Sequence, residues 1–247
     1  DSDEMNLAAA GQILYKNYDF SQINRVSSTA KVDDNANSGN WTVEGNTIAK
    51  GGSITFTGVS QIKTTQGIAN GLTVGQTVEL GKTDSDVSTI TVAGMTFTGS
   101  SSYTGSSTNS DDSEDIVTDS TGGAWTVTGT QALSSGSRSL SGVDRVNTSG
   151  NITDNSTTDW SVDGANLISS SGRGLTIGST TQLTTQGNVT DATNKGWAVR
   201  GDNLAFSTDN ALTVAGTDRI TTTGAITNEM SSGQEVQLNA TDITVGG

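Results

Sequence analysis

A block of thirty-seven residues recurs along the chain, most plainly where the stretch from Leu140 is replayed from Ile177 and again, truncated, from Val214. Aligning 140–176 on 177–213 without a gap gives thirteen identities, among them Thr148/Thr185, Gly150/Gly187, Asn151/Asn188, Asp154/Asp191, Trp160/Trp197, Val162/Val199 and Gly164/Gly201. A regular period of this length marks a solenoid or array, in which each repeat buries its apolar side chains against the next. Such chains work as extended surfaces or rods more often than as catalytic pockets.

Within the clearest repeat the apolar residues fall in short alternating triplets, Leu175-Thr176-Ile177, Gln182-Leu183-Thr184, Asn188-Val189-Thr190, Trp197-Ala198-Val199 and Leu204-Ala205-Phe206. Alternation at period two predicts strands. The Gly, Asn, Asp and Ser residues that follow each triplet predict turns. Five or six strands per repeat are too many for one triangular coil, so the expectation is a parallel β-helix with two coils of eighteen or nineteen residues per repeat. That makes about thirteen coils, and at ~4.8 Å per strand a rod on the order of 60 Å long. The competing all-β folds, antiparallel sandwiches or a propeller, call for longer strands joined by two-residue Asn-Gly or Asp-Gly turns. The absence of proline favours stacked coils, because every interior strand must donate its N–H to a neighbour. Met5 to Tyr18 carries the one apolar spacing compatible with a helix, and fits a cap or a lead-in to the first strand equally well.

The repeats are expected at approximately 20–55, 56–96, 97–139, 140–176, 177–213 and 214–247, within a single β-helical segment, 1–247, of a longer protein. Phe20, Phe56, Phe97 and Leu140 mark successive units, spaced by thirty-six, forty-one and forty-three residues. The larger spacings predict insertions at Lys82 to Ser88 and Ser100 to Glu114, with a subdomain boundary near there as the alternative.

Leu, Ile, Val and Phe make up about a fifth of the chain, which suffices for a solenoid because each coil needs only a thin apolar line. Twenty-six acidic against twelve basic residues, a net charge of −14, argue against nucleic acid or an anionic membrane as partner. With no cysteine and no histidine, disulfides, thiolate chemistry and imidazole bases are excluded. No apolar run is long enough to span a membrane.

Four Trp-x-Val-x-Gly blocks begin at Trp41, Trp125, Trp160 and Trp197. They are read as core anchors, since Trp and Val two apart share a strand face, rather than as a sugar-stacking ladder. Recurring Thr148, Thr185 and Thr222 predict side-chain ladders between coils. The acidic run Asp111, Asp112, Glu114 and Asp115 supplies candidate ligands for Ca²⁺, as do Asp33-Asp34 and Asp84-Ser85-Asp86, although the nonapeptides of calcium β-rolls are absent. No cofactor is otherwise indicated, and no spacing places two carboxylates in one cleft, so no catalytic residue is assigned. Arg200-Gly201-Asp202 spells an integrin-recognition tripeptide after a strand, but its glycine occupies the repeat position of Gly45, Gly129 and Gly164. Asn151-Ile152-Thr153 and Asn188-Val189-Thr190 are sequons that a Thr-rich repeat produces by itself.

The combination of Trp-x-Val-x-Gly, Phe-Thr-Gly-Val or Leu-Ser-Gly-Val-Asp, and Thr-x-Gly-Asn-Ile/Val-Thr-Asp resembles the repeat rods of filamentous-haemagglutinin-like and biofilm-matrix adhesins. The resemblance covers nearly the whole chain but only its scaffold pattern, so no binding residue carries over. It implies a right-handed β-helical rod, secreted to the bacterial surface, that holds cells or matrix polysaccharide together or displays a binding tip. Its partners are then extracellular polysaccharide, neighbouring cells and other repeats of the same chain. The alternative is a carbohydrate-binding or carbohydrate-cleaving β-helix of the tailspike kind.

Overall fold

The computed structural model describes residues 4–9, 11–34, 36, 39–106, 114–201, 204–209, 211–217, 219–229, 236–238 and 243–245. It is all-β, with no helix among the described residues, and its coils stack in parallel as a β-solenoid. The chain forms two compact units, 1–121 with 136–143 and 122–135 with 144–247. Met5 to Tyr18 belongs to the strands Glu4–Ala9, Gln12–Tyr15 and Tyr18–Phe20, not to a helix.

In the second unit one repeat supplies five strands: Arg145–Thr148, Ile152–Asp154, Trp160–Gly164, Leu167–Ser170 and Leu175–Gly178. The last three form an antiparallel meander, and the fifth returns to pair in parallel with the first, Ile177 opposite Val146. The third pairs in parallel with the second strand of the next repeat, Trp160 opposite Val189. The second strand lies in the other sheet, where Ile152 stands opposite Leu183 and Leu183 opposite Val214. The next repeat places its meander, Trp197–Gly201, Leu204–Ser207 and Thr213–Ala215, in that other sheet. Successive repeats therefore build opposite sheets.

The first unit follows the same rule. The meander Trp41–Gly45, Ile48–Gly51, Ile54–Thr57 lies in one sheet, and that of Thr77–Lys82, Ser88–Val92, Met95–Thr98 in the other. The expected insertion at Lys82 to Ser88 is an elongated hairpin, closed by Thr83 N–H donating to the Val87 carbonyl over 2.9 Å. Residues 107–113 of the second expected insertion lie outside the described residues.

Coils of eighteen or nineteen residues are not what stacks. Parallel partners Ile152 and Leu183 are 31 residues apart in sequence, as are Leu183 and Val214. Three strands of each repeat are spent within one layer as hairpins, so one circuit consumes more chain. Period-two alternation is common to parallel and antiparallel strands, and the triplets alone do not distinguish them.

The core lies between the two sheets of each unit. Trp41 packs against Phe56 of its own meander at 5.3 Å between ring centroids, and against Phe97 of the facing sheet at 6.2 Å. Each Trp backbone stacks on a β-branched residue of the next coil: Trp41 on Ile68, Trp125 on Ile152, Trp160 on Val189 and Trp197 on Ile226. Across the hairpin from Trp41 sits Gly51, where an added Cβ would lie 2.6 Å from the indole Cζ2. The glycine makes room for the ring.

Candidate functional site

All four tryptophans are core residues, none more than 2 % exposed. Their indole N–H groups cannot be left dry without a partner. Trp41 donates to Asp34 Oδ2 at 2.9 Å, Trp160 to Asp154 Oδ2 at 3.1 Å and Trp197 to Asp191 Oδ2 at 3.0 Å. Each aspartate closes the inner strand that precedes its Trp and is buried. The remaining lone pairs are filled locally and by the next coil. Asp191 Oδ1 accepts from the Thr193 amide at 2.8 Å and hydroxyl at 2.6 Å, while its Oδ2 accepts from the Thr222 hydroxyl, 31 residues on, at 2.9 Å. Asp34 accepts likewise from Thr64 at 3.1 Å. Asp154 takes a two-pronged guanidinium instead, Arg173 Nη2 at 3.0 Å and Nε at 3.3 Å, besides the Ser156 amide at 3.0 Å.

Burial opposes ionisation of Asp154, but Arg173, the Ser156 amide and hydroxyl, and the Trp160 indole outweigh it and hold its carboxyl below the usual carboxylate range. Burial likewise opposes ionisation of Asp191, and donation from Thr193, Trp197 and Thr222 depresses its pKa in net. These carboxylates stay charged inside because each is surrounded by donors.

The predicted threonine ladder is a ladder of alternating partners. Thr185 stands opposite Asp154 in parallel register. The same hydroxyls close the corner after the first strand, accepting from the amides of Gly150, Gly187 and Gly224 at 2.9 to 3.0 Å. At the corner before the first strand, Thr180 and Thr217 donate to the carbonyls of Gly150 and Gly187 of the preceding coil, at 2.9 and 2.7 Å. The Thr, Gly and Asp identities are visible in the sequence, but the role of the aspartates is not. The signal that could have found them is the constant spacing of six residues in Asp154-Trp160 and Asp191-Trp197.

Asp111 and Asp112 lie outside the described residues, and Glu114 is exposed. Asp115 is fully buried, accepting from Tyr103 Oη at 2.9 Å, the Gln76 amide at 3.0 Å, the Ser106 amide at 2.6 Å and Asn70 Nδ2 at 3.2 Å. Burial, reinforced by the adjoining carboxylate, pushes the Tyr103 phenol pKa up. Asp33 pairs with Lys63 and Asp86 with Lys82, at 2.7 and 2.6 Å. Among the described residues no three Asp or Glu side chains gather where they could hold a metal. Arg200 donates to Glu229 at 2.7 Å and its guanidinium covers the Phe206 ring at 4.4 Å; Gly201 ends the Trp197 strand, and Asp202 lies outside the described residues.

A cleft of about 420 Å³ opens in the first unit beside the long hairpin, lined by Asp33, Lys63, Thr65, Val87 and Thr98. Among the described residues no aromatic side chain lines it. Compared with known proteins, the chain matches no family model, no curated protein and no solved structure.

Proposed function

We propose that this chain is a structural stalk or rod segment of a bacterial cell-surface or biofilm-matrix adhesin, supporting cell–cell or cell–matrix attachment through stacked repeats. The reading rests on one observation: the side chains that recur most faithfully, Trp, Asp and Thr, are turned inward and bonded to one another. A repeat under selection for a ligand would be expected to repeat its outward face. A carbohydrate module would present aromatics to sugar rings, and the four tryptophans are buried.

The test is to display the chain on a non-adherent bacterium, alone and carrying a known binding tip. Adhesion is expected only with the tip, and should persist when outward residues such as Lys63 and Thr98 are changed to Ala. Binding of matrix polysaccharide by the isolated chain, abolished by those changes, would favour the carbohydrate reading instead.

A further inference from the structure

In the clearest repeats a short corner joins the first strand to the second. Three residues separate Arg145–Thr148 from Ile152–Asp154, and three separate Gln182–Thr185 from Val189–Asp191. With so little slack, the position of one strand fixes that of the next. In the repeat that carries the second insertion, eleven residues, 105–115, separate Ser102–Thr104 from Ile116–Asp119. The connection therefore leaves Ile116–Asp119 free to slide along its stacked neighbour, Thr77–Lys82. A slide by two residues would keep the same side chains facing inward, because alternation has a period of two. The strand is nevertheless held in one register, with Val78 opposite Val117 and Leu80 opposite Asp119.

A buried carboxylate sits at each end of it. Asp115 stands two residues before the inward Val117, where the other repeats place the corner glycines Gly150 and Gly187 two residues before Ile152 and Val189. It ties the start of the strand to the first strand through Tyr103 Oη, and to the approach of the stacked strand through the Gln76 amide. At the other end the fully buried Asp119 side chain faces Arg138 Nη1 at 3.5 Å. Arg138 holds the inward position that Ile54, Met95 and Leu175 hold on other last strands, and is only 8 % exposed. It reaches Asp119 from the facing sheet. Its Nη1 also donates to Thr121 Oγ1 at 3.2 Å, and its Nη2 to the carbonyl of Gly81 on the stacked strand. A slide of Ile116–Asp119 would leave this guanidinium buried without its anion, a costly arrangement. We propose that Asp115 and the Asp119–Arg138 pair form a clamp that replaces the missing short corner: it sets the stacking register of Ile116–Asp119, so that this coil carries an insertion without loosening the stack.

Engineered disulfides read the register directly, because the chain has no cysteine of its own. Glu79 and Thr118 are exposed partners in the parallel register, and neighbouring strands at about 4.8 Å lie within disulfide reach. Under oxidation Glu79→Cys/Thr118→Cys is expected to close completely, and Glu79→Cys/Ile116→Cys, which reports a slide by two residues, to stay open. Adding Asp119→Asn/Arg138→Leu removes both charges together, so neither is stranded. This pair of changes, and separately Asp115→Gly, should give partial loss of the 79–118 disulfide and gain of the 79–116 disulfide, with the β-sheet circular dichroism spectrum retained. In a chain whose residues 105–115 are replaced by Thr-Ser-Gly, copying the corner 148–150, Asp119→Asn/Arg138→Leu should again give the 79–118 disulfide alone. Should Asp119→Asn/Arg138→Leu not fold, Asp119→Asn by itself, which keeps the side-chain size, takes its place with the same expected result. An unchanged 79–118 disulfide in either long-chain variant would overturn the proposal, because packing alone would then set the register. A 79–116 disulfide in the short-corner chain would also overturn it, since the pair would then serve the stack in general and not the insertion.

Discussion

Asp191 gathers four donors, the Thr193 amide and hydroxyl, the Trp197 indole and the Thr222 hydroxyl, at a site 5 % exposed. Asp191→Ala strands the indole and the hydroxyls in a dry interior and is expected to cost roughly 3 kcal/mol, read as a lowered urea midpoint. The carboxylates also set an acid limit. The folded pKa values of Asp154 and Asp191 lie below those of the unfolded chain. Their ionised forms therefore contribute stability above the ordinary carboxylate range, and that contribution is lost as pH falls through the depressed folded values. The melting temperature should drop on acidification below roughly pH 4. An Asp154→Asn/Asp191→Asn variant should start lower at neutral pH and show a flatter acid limb. The aspartates are legible as repeated identities, but their role is not, because Arg173 reaches Asp154 from a hairpin turn 19 residues on and Thr222 reaches Asp191 from 31 residues on.

Between first and second strands the chain turns at a Thr-x-Gly corner, and the glycine is demanded by proximity. A Cβ on Gly187 would stand 1.9 Å from the Thr158 carbonyl oxygen, one on Gly150 1.9 Å from that of Gly123, and one on Gly224 1.7 Å from that of Lys195. Gly187→Ala must push a backbone aside and is expected to cost roughly 3 kcal/mol or more, measured by thermal unfolding. Gly136 is the contrasting case, a hairpin glycine at φ 58° with nothing within 4 Å of its virtual Cβ. Gly136→Ala should cost only about 1 kcal/mol, the strain of a left-handed backbone. Turns after the apolar triplets, such as that at Gly187, are legible in the sequence. What it lacked was the meander: three short strands such as Trp160–Gly164, Leu167–Ser170 and Leu175–Gly178 show the same alternation whether they wind around an axis or fold back on themselves.

For the molecule as a whole, the sequence period and the stacking distance are different quantities. First strands begin at Arg145 and Gln182, 37 residues apart, while the stacked Ile152 and Leu183 are separated by 31. Deleting residues 145–181 should therefore leave a chain that still melts cooperatively with a β-sheet spectrum, because Gln182–Thr185 takes the place of Arg145–Thr148. Deleting the 31 residues 146–176 leaves only Ile177-Gly178 of that repeat's last strand, without its meander, and should abolish cooperative melting. The sequence by itself determined the period, the all-β stacked architecture, the inward Trp and Val, and the turning glycines, because each follows from local alternation, side-chain size and backbone freedom. Only the tertiary structure decided which strands run antiparallel, that successive repeats build opposite sheets, and which donors satisfy each buried aspartate. Those choices depend on how adjacent strands fold back on one another and on stacked partners 31 residues away, such as Thr222 on Asp191, and alternation within one segment marks neither.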